Sequence, residues 1–267
     1  MRPACSLRPA CSLRPVSTHI ARLLPEPKAV PPAREASTTL ANAIRRLGGE
    51  FLGSALLTAI VVGSGIAAQR LSPSDTGLQL LENSIATALG LTVLILVFAP
   101  LSGAHFNPVV SVVDALLGHR PWSEALRYIP AQILGCIAGA VLANLMFGDP
   151  AATWSANNRL SAPHLLAEVV ATAGLIVVIF SLVRTGRATL AAPAVGAYIG
   201  AAYFFTSSTS FANPAITIGR MFTDSFAGIA PQSAGGYVVA QFLGAALGWA
   251  CVLILFPRDR SRRGVGP

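Results

Sequence analysis

The sequence predicts an all-α integral membrane fold. It has six transmembrane helices plus two re-entrant half-helices, arranged as inverted three-helix repeats. Three observations carry this. Charged residues are only 11% of the 267, while apolar residues are 53%. A soluble domain averages roughly 25% charged, and a soluble globule this poor in charge would expose large apolar patches and associate. That excludes an ordinary cytosolic enzyme. Second, no Asp, Glu, Lys or Arg occurs in 51–69, 83–113, 128–148, 188–219 or 225–257, and about 20 apolar residues span a bilayer as a helix. Third, short motifs recur half a chain apart.

The elements follow in order. Residues 1–45 form a basic tail in which Arg2-Pro3-Ala4-Cys5-Ser6-Leu7 returns as Arg8-Pro9-Ala10-Cys11-Ser12-Leu13. Such low complexity cannot bury a core, so disorder is expected. Spans are expected near 48–69, 83–101, 125–147, 163–183, 188–207 and 235–256. Two charge-free runs, 83–113 and 188–219, hold 31 and 32 residues, too many for one crossing. Each contains one span and then apolar sequence from an Asn-Pro, which must enter the membrane without crossing it. The body is thus 46–257, with halves 46–147 and 163–257, followed by a basic C-terminal tail at 258–267.

The net charge of +8 lies at membrane flanks and lacks aromatic interleaving, so it is read as an orientation signal and not as a nucleic-acid arm. With both termini cytoplasmic, sixteen of the nineteen Lys/Arg fall inside; Arg70, Arg159 and Arg220 fall outside. Four cysteines show no CxxC and no Cys/His cluster, and no metal site is expected.

Self-similarity comes next. Asn107-Pro108-Val109 matches Asn213-Pro214-Ala215. Glu50 opens span one and Glu168 lies early in span four. Ala131-Gln132-Ile133-Leu134-Gly135 matches Ala240-Gln241-Phe242-Leu243-Gly244, and Gly139 and Gly248 complete a GxxxG in spans three and six. Small residues at that spacing let helices approach closely in lipid. Three spans per half force the second half upside down, which places a functional site near the midplane at broken helices. Asparagine is a preferred N-cap and proline suits the first helical position. Short helices are therefore expected over 108–118 and 214–224. Their N-termini, each with about half a positive charge, would meet at the centre and repel cations, while Asn side chains offer N–H groups to a neutral solute.

Ser102-Gly103-Ala104-His105-Phe106-Asn107-Pro108-Val109 and Phe211-Ala212-Asn213-Pro214-Ala215 resemble the paired signatures of the aquaporin (major intrinsic protein) family, and the resemblance spans roughly 47–257. It implies a passive channel rather than an enzyme, a homotetramer with one pore per subunit, a multi-pass protein of the plasma membrane, and no cofactor. The chain departs from the family at two places. Val109 stands where alanine is usual. Ile216 stands where water-selective members carry arginine. That position is one of four in the outer selectivity filter; by motif spacing the others are Leu89, Ala201 and Ser210. Leu, Ala, Ser and Ile make a wide, apolar ring, similar to bacterial members linked to metalloid transport. The expected solutes are metalloid acids such as arsenite, or polyols such as glycerol, together with water. A mainly water-selective channel is the alternative, and an ion-coupled transporter, with Glu50 and Glu168 as its coupling site, the remote one.

Glu50 and Glu168 are costly carboxylates in apolar sequence; each is expected to accept backbone hydrogen bonds from the re-entrant loop of its half. His105 is expected to line the pore or anchor that loop, with protonation gating as the sharper reading. Arg220 is expected in the outer vestibule, paired with Asp224 at i+4, or else as a stand-in for the missing filter arginine.

Overall fold

The computed structural model describes the backbone of residues 32–257 and side chains from Leu40 onward. Most of the expected N-terminal tail and all of the C-terminal tail lie outside the described residues. Eight α-helices run in order: α1 (Pro32–Leu71), α2 (Thr76–Ser102), α3 (Pro108–Leu116), α4 (Trp122–Met146), α5 (Ala162–Arg184), α6 (Ala191–Phe205), α7 (Pro214–Gly219) and α8 (Pro231–Leu255). Among the described residues, six helices are long and apolar enough to cross a membrane. The two short ones, α3 and α7, begin at the two Asn-Pro motifs.

From Asn42 onward the described chain forms one compact unit. Its two ends are fixed by polar contacts. At one end Arg46 of α1 pairs with Glu124 of α4 at 2.9 Å, and Arg184 of α5 donates to the Phe256 carbonyl after α8; this is the terminal face. At the other, Arg70 of α1 pairs with Asp149 beyond α4 at 2.7 Å, and the Phe226 amide donates to Gln69; this is the loop face.

The repeat shows directly in the packing. In α4, a Cβ on Gly135 would lie 2.3 Å from the Phe51 carbonyl oxygen, and one on Gly139 would lie 2.1 Å from that of Ala55. In α8, the same test places Gly244 against Val169 and Gly248 against Ala173, at 2.5 and 2.6 Å. Thus α4 crosses α1 as α8 crosses α5, backbone against backbone. Only glycine permits this approach, and in lipid such close packing is what holds helices together.

Several boundaries differ from the sequence reading. Helix α1 begins at Pro32, inside the segment expected to be disordered: proline starts a helix without loss, and the residues that follow it, through Ala41, Ala43 and Leu47, include good helix formers. Helix α2 begins at Thr76, capped by the Asp75 side chain, because Glu82 interrupts the charge-free run without interrupting the helix; it accepts from Ser72 Oγ at 2.9 Å. Helix α7 ends at Gly219 and tightens to a 3₁₀ turn over Arg220–Phe222, short of the expected 224. Donors from elsewhere claim the carbonyls of the 3₁₀ turn: Ser155 N donates to Met221 O, and Thr153 N and Asn144 Nδ2 donate to Phe222 O. Those carbonyls no longer serve the helix, which stops.

Candidate functional site: a pore between two capped half-helices

Each half-helix is capped by its own asparagine. Asn107 Oδ1 accepts from Val109 N, and Asn213 Oδ1 accepts from Ala215 N and Ile216 N. The amide nitrogens cross over. Asn107 Nδ2 donates to Ala212 O, and Asn213 Nδ2 donates to Phe106 O, both at 2.8 Å. Each asparagine therefore caps one helix and ties down the opposite loop. One N–H of each NH2 group remains, and both residues line the cavity described below.

The loops before the asparagines are strained in the same way. Ala104 and Phe106 have φ of 51° and 49°, and Ser210 and Ala212 have 50° and 47°. Non-glycine residues enter this left-handed region at a cost and persist there only when their surroundings over-determine them. The carboxylates do this. Glu50 and Glu168 are both fully buried. Glu50 accepts from His105 N, Phe106 N and Ser102 Oγ; Glu168 accepts from Phe211 N and Ala212 N. Each carboxylate thus accepts hydrogen bonds from the loop of its own half.

Gln132 and Gln241 complete the frame. Gln132 Nε2 donates to Glu50 and to Ser111 Oγ, and Gln241 Nε2 donates to Glu168 and to Thr217 Oγ1. Ser111 and Thr217 in turn donate to the backbone carbonyls of Asn107 and Asn213. The Ala-Gln repeat was legible in the sequence, but its task was not: each glutamine couples a buried carboxylate to the half-helix that the carboxylate's loop precedes.

His105 belongs to this frame and also lines the cavity. Its Nδ1 lies 3.0 Å from Ser111 Oγ and its Nε2 lies 3.5 Å from Asp114 Oδ2. The ring meets Tyr128 edge to face. The ring is thus held by Ser111, Asp114 and Tyr128.

A cavity of about 940 Å³ runs from the terminal face past both asparagines to Tyr203 and Arg220. Its lining combines aliphatic side chains, among them Leu57, Val61, Leu91, Ile95, Ile179 and Ile199, with the two asparagines and His105. At the terminal mouth the two acidic residues that line the cavity, Asp114 and Glu124, both have basic partners. Arg120 reaches Asp114 and Glu124, both at 3.0 Å, and Arg46 reaches Glu124. A second cavity, about 680 Å³, opens on the loop face between Gln69, Gln79, Asn157, Arg159, His164 and Asp224.

The structure brings Ile216, Ser210 and Arg220 to the main cavity and corrects the other two expected filter residues. Leu89 is 64% exposed on the outer surface of α2, and Ala201 is exposed on α6. Neither lines the cavity; Thr87 and Leu91, and Ile199 and Tyr203, do so instead. Two residues turn a helix by about 200°, so a register error of two carries a pore residue to the outer face. Thr87 Oγ1 and Tyr203 OH lie 3.1 Å apart, so this part of the wall is hydroxylated where Leu and Ala would be apolar. The expected Arg220–Asp224 pair is also absent among the described residues: Asp224 accepts from Ala156 N, and Arg220 Nε donates to Ala227 O. The 3₁₀ turn after Gly219 breaks the i,i+4 geometry that the pair requires.

A sequence model of the family described as Major intrinsic protein matches residues 37–210 of this chain. The chain belongs to the major intrinsic protein family. Its relatives within the family include the Aquaglyceroporin AqpS of Rhizobium meliloti, 47% identical over 212 residues, which cover 79% of this chain and 88% of that one. The Glycerol uptake facilitator protein of Streptococcus pneumoniae (strain R6) is 30% identical over 232 residues, covering 80% and 98%. The X-ray structure of the aquaglyceroporin from Plasmodium falciparum matches with a TM-score of 0.62 at 23% identity, covering 79% of this chain and 95% of that one, and shares its fold. Family membership and six apolar helices make this a multi-pass membrane protein.

Proposed function

We propose that this major intrinsic protein is a passive channel for small neutral solutes: polyols such as glycerol, undissociated metalloid acids such as arsenous acid, and water. The cavity wall carries the reading. A polyol has a carbon chain on one side and a row of hydroxyls on the other. The cavity lining offers aliphatic side chains to the first, and to the second the asparagine N–H groups and the Thr87–Tyr203 hydroxyls. Ile216, 7% exposed on the same wall, leaves the first turn of α7 without the donors and bulk of an arginine. The printed names of the relatives, an aquaglyceroporin and a glycerol uptake facilitator, support the same solute class.

Glu50 and Glu168 speak against an ion-coupled carrier. Their oxygens are occupied by loop amides and glutamines, so neither is free to bind and release a coupling ion. The proposed assembly is a homotetramer in the plasma membrane with both termini cytoplasmic. The orientation rests on the sixteen basic residues that this arrangement keeps inside. Exposed Leu78, Leu81, Ile85, Leu89 and Val93 give α2 an apolar outer stripe suited to lipid or to a second copy. Light scattering coupled to size exclusion in detergent tests the oligomer, with four copies expected. Reswelling of shrunken proteoliposomes in glycerol, and uptake of arsenous acid at neutral pH, test the solutes; absence of both fluxes overturns the reading.

A further inference from the structure

Arg220 is one of the largest fully buried side chains of the protein, at 2% exposure, yet it lines the main cavity. Its guanidinium stacks on Phe211, with Cζ 3.4 Å from the ring centroid, a geometry in which the ring face attracts the cation. Its Nε donates to Ala227 O. Among the described residues no carboxylate lies within ion-pair distance of it. Arg159 stands on the loop-face side of the same ring, 5.5 Å from its centroid, donates to the Gly228 and Phe226 carbonyls, and is likewise without a carboxylate partner. Glu168, behind the loop, is occupied by backbone and glutamine donors; Asp224 is exposed and accepts from Ala156 N.

The two guanidiniums thus grip three consecutive carbonyls, those of Phe226, Ala227 and Gly228. That loop has no slack. A Cβ on Gly228 would lie 2.3 Å from Thr223 O, and a Cβ on Gly65 would lie 2.8 Å from the Ala227 Cβ. The arginines are therefore held in place, uncompensated, at the loop-face end of the pore. The terminal mouth is the opposite case, since its arginines are neutralised by Asp114 and Glu124.

We propose that Arg220 is the charge-selecting residue of this pore, supplying one helical turn beyond Ile216 a fixed cation that turns back positively charged solutes and donates to the oxygens of neutral ones. The proposal rests on the reading of the protein as a neutral-solute channel. It places the barrier to cations at the Phe211–Arg220 layer, with Arg159 adding to the field from the vestibule. A fixed positive group in a low-dielectric constriction repels a cation strongly, whereas a neutral hydroxylated solute loses nothing by passing it. The arrangement also leaves Ile216 free to widen the turn nearer the asparagines.

The test measures water, glycerol and methylammonium permeability of proteoliposomes holding the parent or Arg220→Met, Arg220→Gln and Arg220→Lys. Glycerol flux in the parent tests the channel reading by itself. Given that flux, the parent is expected to exclude methylammonium. The Met and Gln variants are expected to keep water flux within about threefold and to admit methylammonium at least tenfold faster, a change of about 1.4 kcal/mol in its barrier. The Lys variant is expected to restore exclusion. Glutamine keeps a donor for the Ala227 carbonyl, so it serves should the Met variant fail to assemble. A neutral variant that conducts water and still excludes methylammonium overturns the proposal, as does a parent that passes methylammonium as readily as glycerol.

Discussion

Replacing Glu168 by glutamine changes one atom and should close the pore. The carboxylate accepts from Phe211 N and Ala212 N, each at 2.9 Å, and from Gln241 Nε2 at 2.7 Å. Glutamine keeps one acceptor oxygen and brings an NH2 group into a site filled with donors. At least one charge-assisted bond is lost, worth about 1.5–3 kcal/mol, and one buried donor is left without an acceptor, at about 1–3 kcal/mol more. The loss falls on a loop whose Ser210 and Ala212 sit at positive φ, conformations that cost on the order of 1–3 kcal/mol each and survive only under constraint. The sum, roughly 2.5–6 kcal/mol, is enough to release the loop and with it the Asn213 cap and its bond to Phe106 O. Stopped-flow light scattering on proteoliposomes, normalised to protein content, should show water and glycerol flux falling together by at least tenfold, and the melting temperature in detergent should drop by several degrees. Glu50→Gln should behave alike, because Glu50 makes the same contacts in the other half. Unchanged flux and melting in both variants would refute the view that these carboxylates hold the loops.

Gly139→Leu should abolish assembly, since its side chain would enter the Ala55 carbonyl; membrane abundance of folded protein checks this, and Gly48, with nothing within 4 Å of a Cβ, is the tolerant control. Asn213→Asp removes the donor to Phe106 O and puts a negative group at the helix N-terminus, so water and glycerol flux should fall in stopped-flow traces, while planar bilayers should still show no cation current because Arg220 is intact. Ile216→Arg places a second cation one turn from Arg220 and narrows the wall; glycerol flux should fall more than water flux in paired stopped-flow traces.

Much of this fold is legible in the sequence. Charge-free runs mark five of the six spans, because a bilayer penalises charge most strongly near its centre. Paired motifs marked the inverted repeat, and the Glu–loop contacts followed from asking what a buried carboxylate could do twice. What escaped depended on helical register and on non-local contacts. Motif spacing points to Leu89 and Ala201 as filter residues, and a register error of two residues separates the pore from the outer face where they lie. The hydroxyls of Thr87 and Tyr203, and the polar Asn83 and Ser84 buried beside them, were the better signal, because polar groups inside a spanning helix turn away from lipid. For Arg220 the sequence leaves two readings open, a vestibule pair with Asp224 or a stand-in for the filter arginine. Its place is set by Phe211 and by the carbonyl of Ala227, neither of which its own helix periodicity reveals.

The central claim is a pore for small neutral solutes larger than water. The most direct measurement is the volume of proteoliposomes after mixing with hyperosmotic glycerol. Rapid shrinkage followed by reswelling well above the protein-free rate is the expected result. Rapid shrinkage without reswelling, in vesicles that hold folded protein, would contradict it.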